Sequence, residues 1–225
     1  AARLHDKTLE NFSREEAMFL VPKSNPFLRK LFTYIAGPDL DDRIMWIVDD
    51  LSDVLQLCDL NNMLSYFGKK HKQTDAVIHF YETFLKEYNR SLRKERGVYY
   101  TPEPVVNFIV RAVNELLVKD FKLPEGLLSE EMININVHEQ GINKTVKKKV
   151  HKIQILDPAV GTGTFLKSVI QLIYSSFQKQ QGAWNSYVEK NLIPRLHGFE
   201  FLMAPYTICH LNLELLLKET GYVSP

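Results

Sequence analysis

Cysteine is scarce in this chain: Cys58 and Cys209 are the only two among 225 residues. Two thiols cannot build a disulfide framework or a cysteine-rich metal site, so a reducing, cytoplasmic setting is expected. Long apolar runs are lacking too. No stretch reaches the ~18 residues of a membrane span, and no secretory leader opens the chain, so no membrane partner is expected. Charge of one sign is missing: 28 basic residues stand against 27 acidic ones, a net charge of +1. A strongly basic balance is the usual footprint of nucleic-acid binding. Its absence removes a whole-chain pull on phosphate and leaves room only for a local basic face. A metal-binding pattern is absent as well: His197 and His210 lie thirteen residues apart with no ligand partners at motif spacing.

What is present is ordinary for a globular protein, with 45% hydrophobic and 24% charged residues. The length suits one large domain or two small ones. The chain starts Ala-Ala rather than Met and stops just after a helical pattern, so it is expected to be a piece of a longer polypeptide.

Residues 1–95 carry no glycine-rich turn and no clear alternation, and are expected to form a helical arm or bundle. Ser13 with Glu16 makes a capping-box pattern. Phe27, Leu28, Leu31, Phe32 and Ile35 sit at helical spacing before Gly37-Pro38. Ile44, Ile47, Val48, Leu51, Val54 and Leu55 continue the period. A third apolar stripe runs from Val77 to Tyr88. The acids Asp41, Asp42, Asp49, Asp50 and Asp53 read as a solvated face rather than a metal site.

Residues 96–225 have a different character. After a basic link comes GVYYTPEP, in which Thr101 is a natural N-cap ahead of Pro102. Val105 to Leu117 follow as an apolar-periodic helix, whose N-terminus favours an anion. Ile133, Ile135 and Val137 alternate, Gly141 turns, and Val146 and Val150 alternate back, so a β-hairpin is expected near 131–152. Lys144, Lys147, Lys148, Lys149 and Lys152 give it a basic side, which reads most simply as a solvated flank.

Ile153 to Leu166, IQILDPAVGTGTFL, organises the rest. It predicts a strand ending in an acid, a Gly-x-Gly turn and a helix start. A helix follows to near Gly182, then a second strand candidate, Ile193 to Phe201 with Glu200 near its end, then a helix closed by Gly221. The order is β-α-β-α, an α/β pattern in which ligands bind outside the carboxyl ends of the strands.

Leu166 stands where a phosphate-binding loop or a dinucleotide fingerprint wants a small residue, which argues against an ATP site. An acid before Gly-x-Gly suits a cation. Asp157 would face an ammonium or sulfonium ligand, Gly161 and Gly163 would let the backbone approach it, and Glu200 would accept ribose hydroxyls. Thr101 and the helix after it would hold a carboxylate. Ammonium, carboxylate and ribose together describe S-adenosylmethionine.

DPAVGTGTFL resembles motif I of the amino-directed (N6-adenine) DNA methyltransferases, GVYYTP resembles their motif X, and HGFE resembles their motif II. The string from Val77 to Val110 is similar to the corresponding region of the large single-chain restriction-modification enzymes called Type ISP. The resemblance spans roughly residues 75–225. It implies a Rossmann-like methyltransferase sheet, of which 96–225 would be the cofactor-binding half. It also implies S-adenosylmethionine held by Tyr100, Thr101, Pro102, Asp157, Ala159, Gly161, Gly163, Phe165 and Glu200. Tyr99, Tyr100 and Phe165 also read as plain core aromatics.

One departure matters. The family's catalytic Asn/Asp-Pro-Pro-Tyr/Phe string, which presents a flipped-out adenine, does not occur here; after Pro158 the only prolines are Pro194, Pro205 and Pro225. No catalytic residue is therefore assigned. The resemblance implies an S-adenosylmethionine-dependent adenine-N6 DNA methyltransferase of a restriction-modification system, with this chain alone inactive. Its implied partners are double-stranded DNA and nuclease, ATPase and target-recognition domains of the same system. The rival reading is a non-catalytic helical module that docks nuclease or translocase domains.

Overall fold

A computed structural model describes residues 2–6, 11–21, 26–59, 62, 101–138, 145–178 and 181–223. The stripe from Val77 to Tyr88, the tyrosines 99 and 100, and the turn at Gly141 lie outside these residues. The chain divides into two units, Ala1–Phe80 and Tyr81–Pro225.

The described part of the first unit is helical: α1 (Ala2–His5), α2 (Arg14–Leu20), α3 (Pro26–Ala36) and α4 (Asp42–Leu57). The Ser13 side chain accepts the Glu16 N–H at 3.1 Å, as the capping pattern predicts. Asp41 caps α4 in the same way through Arg43 N–H, and its carboxylate also holds the Arg43 guanidinium. Ala2, Phe12, Ala17 and Val21 form a small core with Leu20, Phe32 and Leu55. Arg14 fastens three helices. It donates to Asp49 of α4 at 2.8 Å and to the carbonyls of Ala36 and Gly37 at the end of α3.

The second unit mixes helices and strands. It runs α5 (Glu103–Lys119), a 3-10 turn (Gly126–Leu128), β1 (Met132–His138), β2 (Thr145–His151), β3 (Ile155–Asp157), α6 (Thr164–Ser175), α7 (Gln181–Tyr187), β4 (Leu196–Gly198) and α8 (Met203–Glu219). β1 and β2 form the expected antiparallel hairpin, with Asn134 opposite Lys149 and Asn136 opposite Lys147. β3 and β4 pair in parallel, Ile155 with Leu196 and Asp157 with Gly198. A parallel pair needs a crossover, which α6 and α7 supply.

Why these helices pack is legible in their apolar faces. Val106 and Val110 of α5, Val169, Ile170 and Ile173 of α6, and Trp184, Tyr187, Val188 and Leu192 bury together in one core. Trp184 Nε1 donates to Thr220 Oγ1 at 2.8 Å, so the one polar atom of that ring is satisfied. The end of α8 follows the expected glycine stop. Gly221 has φ 82°, its N–H reaches Lys218 O, and Tyr222 N–H reaches Leu217 O, the paired bonds of a Schellman closure.

Three expectations are corrected. Thr101 is not the N-cap of α5. Pro102 is, with ψ 136°, and its carbonyl accepts from Val105 and Val106. The helix after the glycine loop stops at Ser175, well before Gly182, which lies inside α7. Ser175 Oγ bonds back to Leu172 O at 2.6 Å, and Phe177 turns in to make tilted ring contacts with Trp184 and Tyr187. The second strand is shorter than Ile193 to Phe201. Pro194 lacks an N–H for a ladder and sits in a 3-10 turn, so pairing starts at Leu196.

Arg195, fully buried, joins these pieces. Its guanidinium donates to Ser129 O at 3.1 Å, Leu127 O at 2.6 Å and Tyr187 Oη at 2.5 Å. Burial lowers its own pKa and pushes the Tyr187 hydroxyl up to about 12, against the opposing pull of the guanidinium. We predict that Arg195→Ala, which strands these buried acceptors and leaves a cavity, costs on the order of 3 kcal/mol. Urea unfolding measures it, and a loss under about 1 kcal/mol would contradict this role for the side chain.

Candidate functional site

The site is built where β3 and β4 end side by side. Their pairing continues past the strands. Phe199 N–H donates to Asp157 O at 3.0 Å, and Val160 N–H to Phe199 O at 2.9 Å. Gly161 N–H then donates to the Glu200 carboxylate at 3.0 Å, while Leu202 N–H takes the other Glu200 oxygen at 2.7 Å. Two loops are thus laced together by one carboxylate.

The two glycines of the turn do different work. Gly161, φ 54°, is open: a Cβ there would approach only Ala159 O, at 4.0 Å. Gly163, φ 88°, is close-packed: a Cβ would come within 2.8 Å of Cys209 Sγ on α8. Gly163 is also the N-cap of α6, and its carbonyl accepts the Lys167 N–H. Its left-handed backbone suits glycine best. Leu166, which argues against a phosphate loop, is buried with Val160 and Cys209 beneath the turn.

Asp157 uses one oxygen locally, accepting Ala159 N–H at 3.1 Å. Its other oxygen is buried and has no hydrogen-bond partner among the described residues. A buried, unpartnered carboxylate oxygen is costly and calls for a cause. A donor or cation arriving from outside the protein would meet it. Glu200, by contrast, is already engaged at both oxygens. Each still keeps a second lone pair, so two hydroxyls could be accepted without release of the backbone.

The structure therefore brings Asp157, Ala159, Gly161, Gly163 and Glu200 into one loop cluster. Phe165 is half-buried and packs on the main core. Thr101 and Pro102 precede α5, which is held beside α6 by Ser168 Oγ donating to Asn107 Oδ1 at 2.8 Å. No hydrogen bond links Thr101 or Pro102 to the glycine loop among the described residues, and Tyr100 lies outside them. A groove of about 690 Å³ between α5 and α6 is lined by Glu103, Asn107, Arg111 and Ser168, but by none of the loop residues. Among the described residues, no three His, Cys, Asp or Glu side chains converge to hold a metal ion, and no helix is long and apolar enough to cross a membrane.

Three contributors escaped the sequence reading. Asn212, buried on α8, donates to Thr162 O at 3.0 Å and holds the turn from behind. Cys209, one helical turn earlier, fills the space that Gly163 leaves. Cys209 on a largely apolar helix reads from the sequence as a buried small hydrophobe, as it is; what escaped is which face of the helix meets the turn, because polar residues such as His210, Asn212 and Glu214 interrupt the apolar pattern. Phe201 is 94% exposed directly after Glu200. An aromatic beside a strand-end acid was the available signal.

A family model described as N-6 DNA Methylase matches residues 72–222. The chain belongs to the N-6 DNA methylase family. It is 27% identical over 167 residues to a Methanocaldococcus jannaschii protein named as a type II restriction enzyme and methyltransferase. That match covers 64% of this chain and 14% of the relative. Among solved structures, it is similar to a nuclease-deletion mutant of the Type ISP restriction-modification enzyme LlaGI in complex with a DNA substrate mimic. That likeness has a TM-score of 0.53 and 19% identity, covering 92% of this chain and 17% of that one. It is similar too to the ATP-dependent Type ISP enzyme LlaBIII bound to DNA, with a TM-score of 0.50 and 19% identity over 99% of this chain and 12% of that one. The chain thus spans a small part of the length of each.

Burial, and behind it the charges of Asp157 and Glu200, pushes the Cys209 thiol up to about 12. The fold holds this proton more tightly than the unfolded chain, so the contribution is full below the ordinary value of 9.0 and is lost as pH rises toward 12. At pH near 8, iodoacetamide should label half-buried Cys58 in the native chain and reach Cys209 only on unfolding; equal labelling rates would contradict the packing. Gly163→Ala should cost about 1–3 kcal/mol, and adding Cys209→Ala should return part of the loss in the same unfolding measurement.

Proposed function

We propose that this chain is the S-adenosylmethionine-binding part of a DNA adenine-N6 methyltransferase belonging to a restriction-modification system. The observation that carries the reading is the buried, unpartnered oxygen of Asp157 beside an open glycine turn. A sulfonium-bearing amino acid offers the positive charge and ammonium donors that such an oxygen lacks. Glu200 lies one strand over, with lone pairs left for ribose hydroxyls, and the exposed ring of Phe201 offers a stacking face for a base. Thr101, Pro102 and Tyr100 complete the proposed set, serving the carboxylate end near the start of α5, and Phe165 backs it from the core side. When bound, S-adenosylmethionine supplies an activated methyl group on its sulfonium. The residues of this chain bind and orient the donor and exclude water from it.

The β3–β4 pair is then the start of a Rossmann-like sheet, with residues 1–95 as a helical arm and 96–225 as the cofactor half of the methyltransferase domain. Double-stranded DNA is the proposed substrate, and nuclease, ATPase and target-recognition domains are the proposed partners. Both cysteines are free thiols, which suits a cytoplasmic site of action. A second reading rests on α4, where Ile44, Ile47, Leu51 and Val54 are each 47–57% exposed along one face. That face suits the docking of another domain, and such docking would be indifferent to Asp157.

Removal of a charge-assisted bond costs about 1.5–3 kcal/mol, or roughly 10- to 100-fold in affinity. We predict that isothermal titration finds S-adenosylmethionine binding weakened by about that factor in Asp157→Ala, with the thermal unfolding profile retained. Equal affinity in the variant would count against the site. Because the chain has no Asn/Asp-Pro-Pro-Tyr/Phe string, no group presents the adenine amine. Purified chain incubated with duplex DNA and methyl-labelled cofactor should therefore transfer no label, and labelled N6-methyladenine in the digest would overturn that expectation.

A further inference from the structure

The β1–β2 hairpin is a two-sided ribbon, and its sides differ in kind. Alternation places Ile133, Ile135, Val137, Val146 and Val150 on one face, with Lys148 among them. The other face carries Asn134, Asn136, Lys147 and Lys149, with Asn134 paired to Lys149 and Asn136 to Lys147. All four are exposed. Neither strand contains an acid, and none of Lys147, Lys148 and Lys149 forms an ion pair among the described residues. At the ribbon's base the pattern changes: Lys152 is neutralised by Glu131 at 2.9 Å, and His151 is buried against Lys190 O. Among the described residues of the ribbon, the uncompensated charge thus lies away from its base.

We propose that the Asn134–Asn136–Lys147–Lys149 face of this ribbon binds duplex DNA; the inference rests on the methyltransferase reading for its choice of DNA. The chain's charge is nearly balanced, so this local concentration of positive charge is where a polyanion is attracted. Residues two apart on a strand lie about 6.8 Å apart, so two long lysine side chains can reach separate phosphates of a strand that carries one charge per about 3.4 Å of helix axis. A two-stranded ribbon is narrow enough for the roughly 12 Å major groove. The two lysines meet phosphates. The two asparagines opposite them on β1 present donor–acceptor amides of the type that pairs with adenine edges. The opposite, apolar face is the one suited to packing on protein, which leaves the polar face outward.

The test uses the whole 225-residue chain and a fluorescein-labelled duplex of mixed sequence. Anisotropy is followed from about 50 to about 200 mM salt, a range over which phosphate contacts are strongly attenuated. Lys147→Ala/Lys149→Ala should lower the slope of log affinity against log salt by about 2, roughly 0.9 for each lost phosphate contact. Its cofactor affinity and unfolding midpoint should match the parent. Asn134→Ala/Asn136→Ala should weaken binding with the salt slope unchanged. An unaltered slope in the lysine variant overturns the proposal and leaves the polar face to a protein partner. Absence of duplex binding by the parent chain at the lowest salt also overturns it, while cofactor binding measured on the same sample reports separately on the methyltransferase reading.

Discussion

One carboxylate holds the site in shape. Glu200 accepts the amide of Gly161 with one oxygen and that of Leu202 with the other. Charge-assisted bonds of this kind are roughly twice as strong as neutral ones. They extend the three-residue pairing of β3 and β4 into the loops beyond, where the backbone bonds at Asp157, Phe199 and Val160 continue the ladder. Without them, two very short strands would support two unsupported turns.

Everything around that clamp serves to keep the glycine turn close to protein on one side and open on the other. The closed side is Gly163 against Cys209, with Asn212 bonded to Thr162 O. The open side is Gly161 and the unpartnered oxygen of Asp157. The long crossover from α6 through α7 to β4 is fixed by the aromatic cluster of Trp184, Tyr187 and Phe177 and by the buried Arg195, which draws three acceptors from two segments onto the start of β4. The stability of the fold is thus placed behind the turn, leaving its front open.

Much of this was legible in the residues. Alternation marked the hairpin, helical periods marked α3 to α6 and α8, and the string from Ile153 to Phe165 marked the strand, turn and helix around Asp157. The misses have physical causes. The start of α5 depends on whether Pro102 adopts a helical ψ, which composition does not decide. The break after Ser175 depends on a serine bonding backward and on Phe177 finding an aromatic cluster distant in sequence. Asn212 and Cys209 matter because of what they touch across the fold, and a helix whose polar residues do not gather on one side conceals which face is which. That Glu200 clamps the turn through both oxygens depends on how two loops meet, which no residue pattern records.

The central claim is that Asp157, Gly161 and Glu200 together hold S-adenosylmethionine. Amide resonances of the isotopically labelled chain test it most directly during titration with the cofactor. The account predicts saturable shifts at Ala159, Gly161, Gly163 and Leu202, with the ribbon amides of Lys147 to Lys149 unmoved. Saturable binding that shifts other residues and leaves the Gly161 and Leu202 amides in place would contradict it.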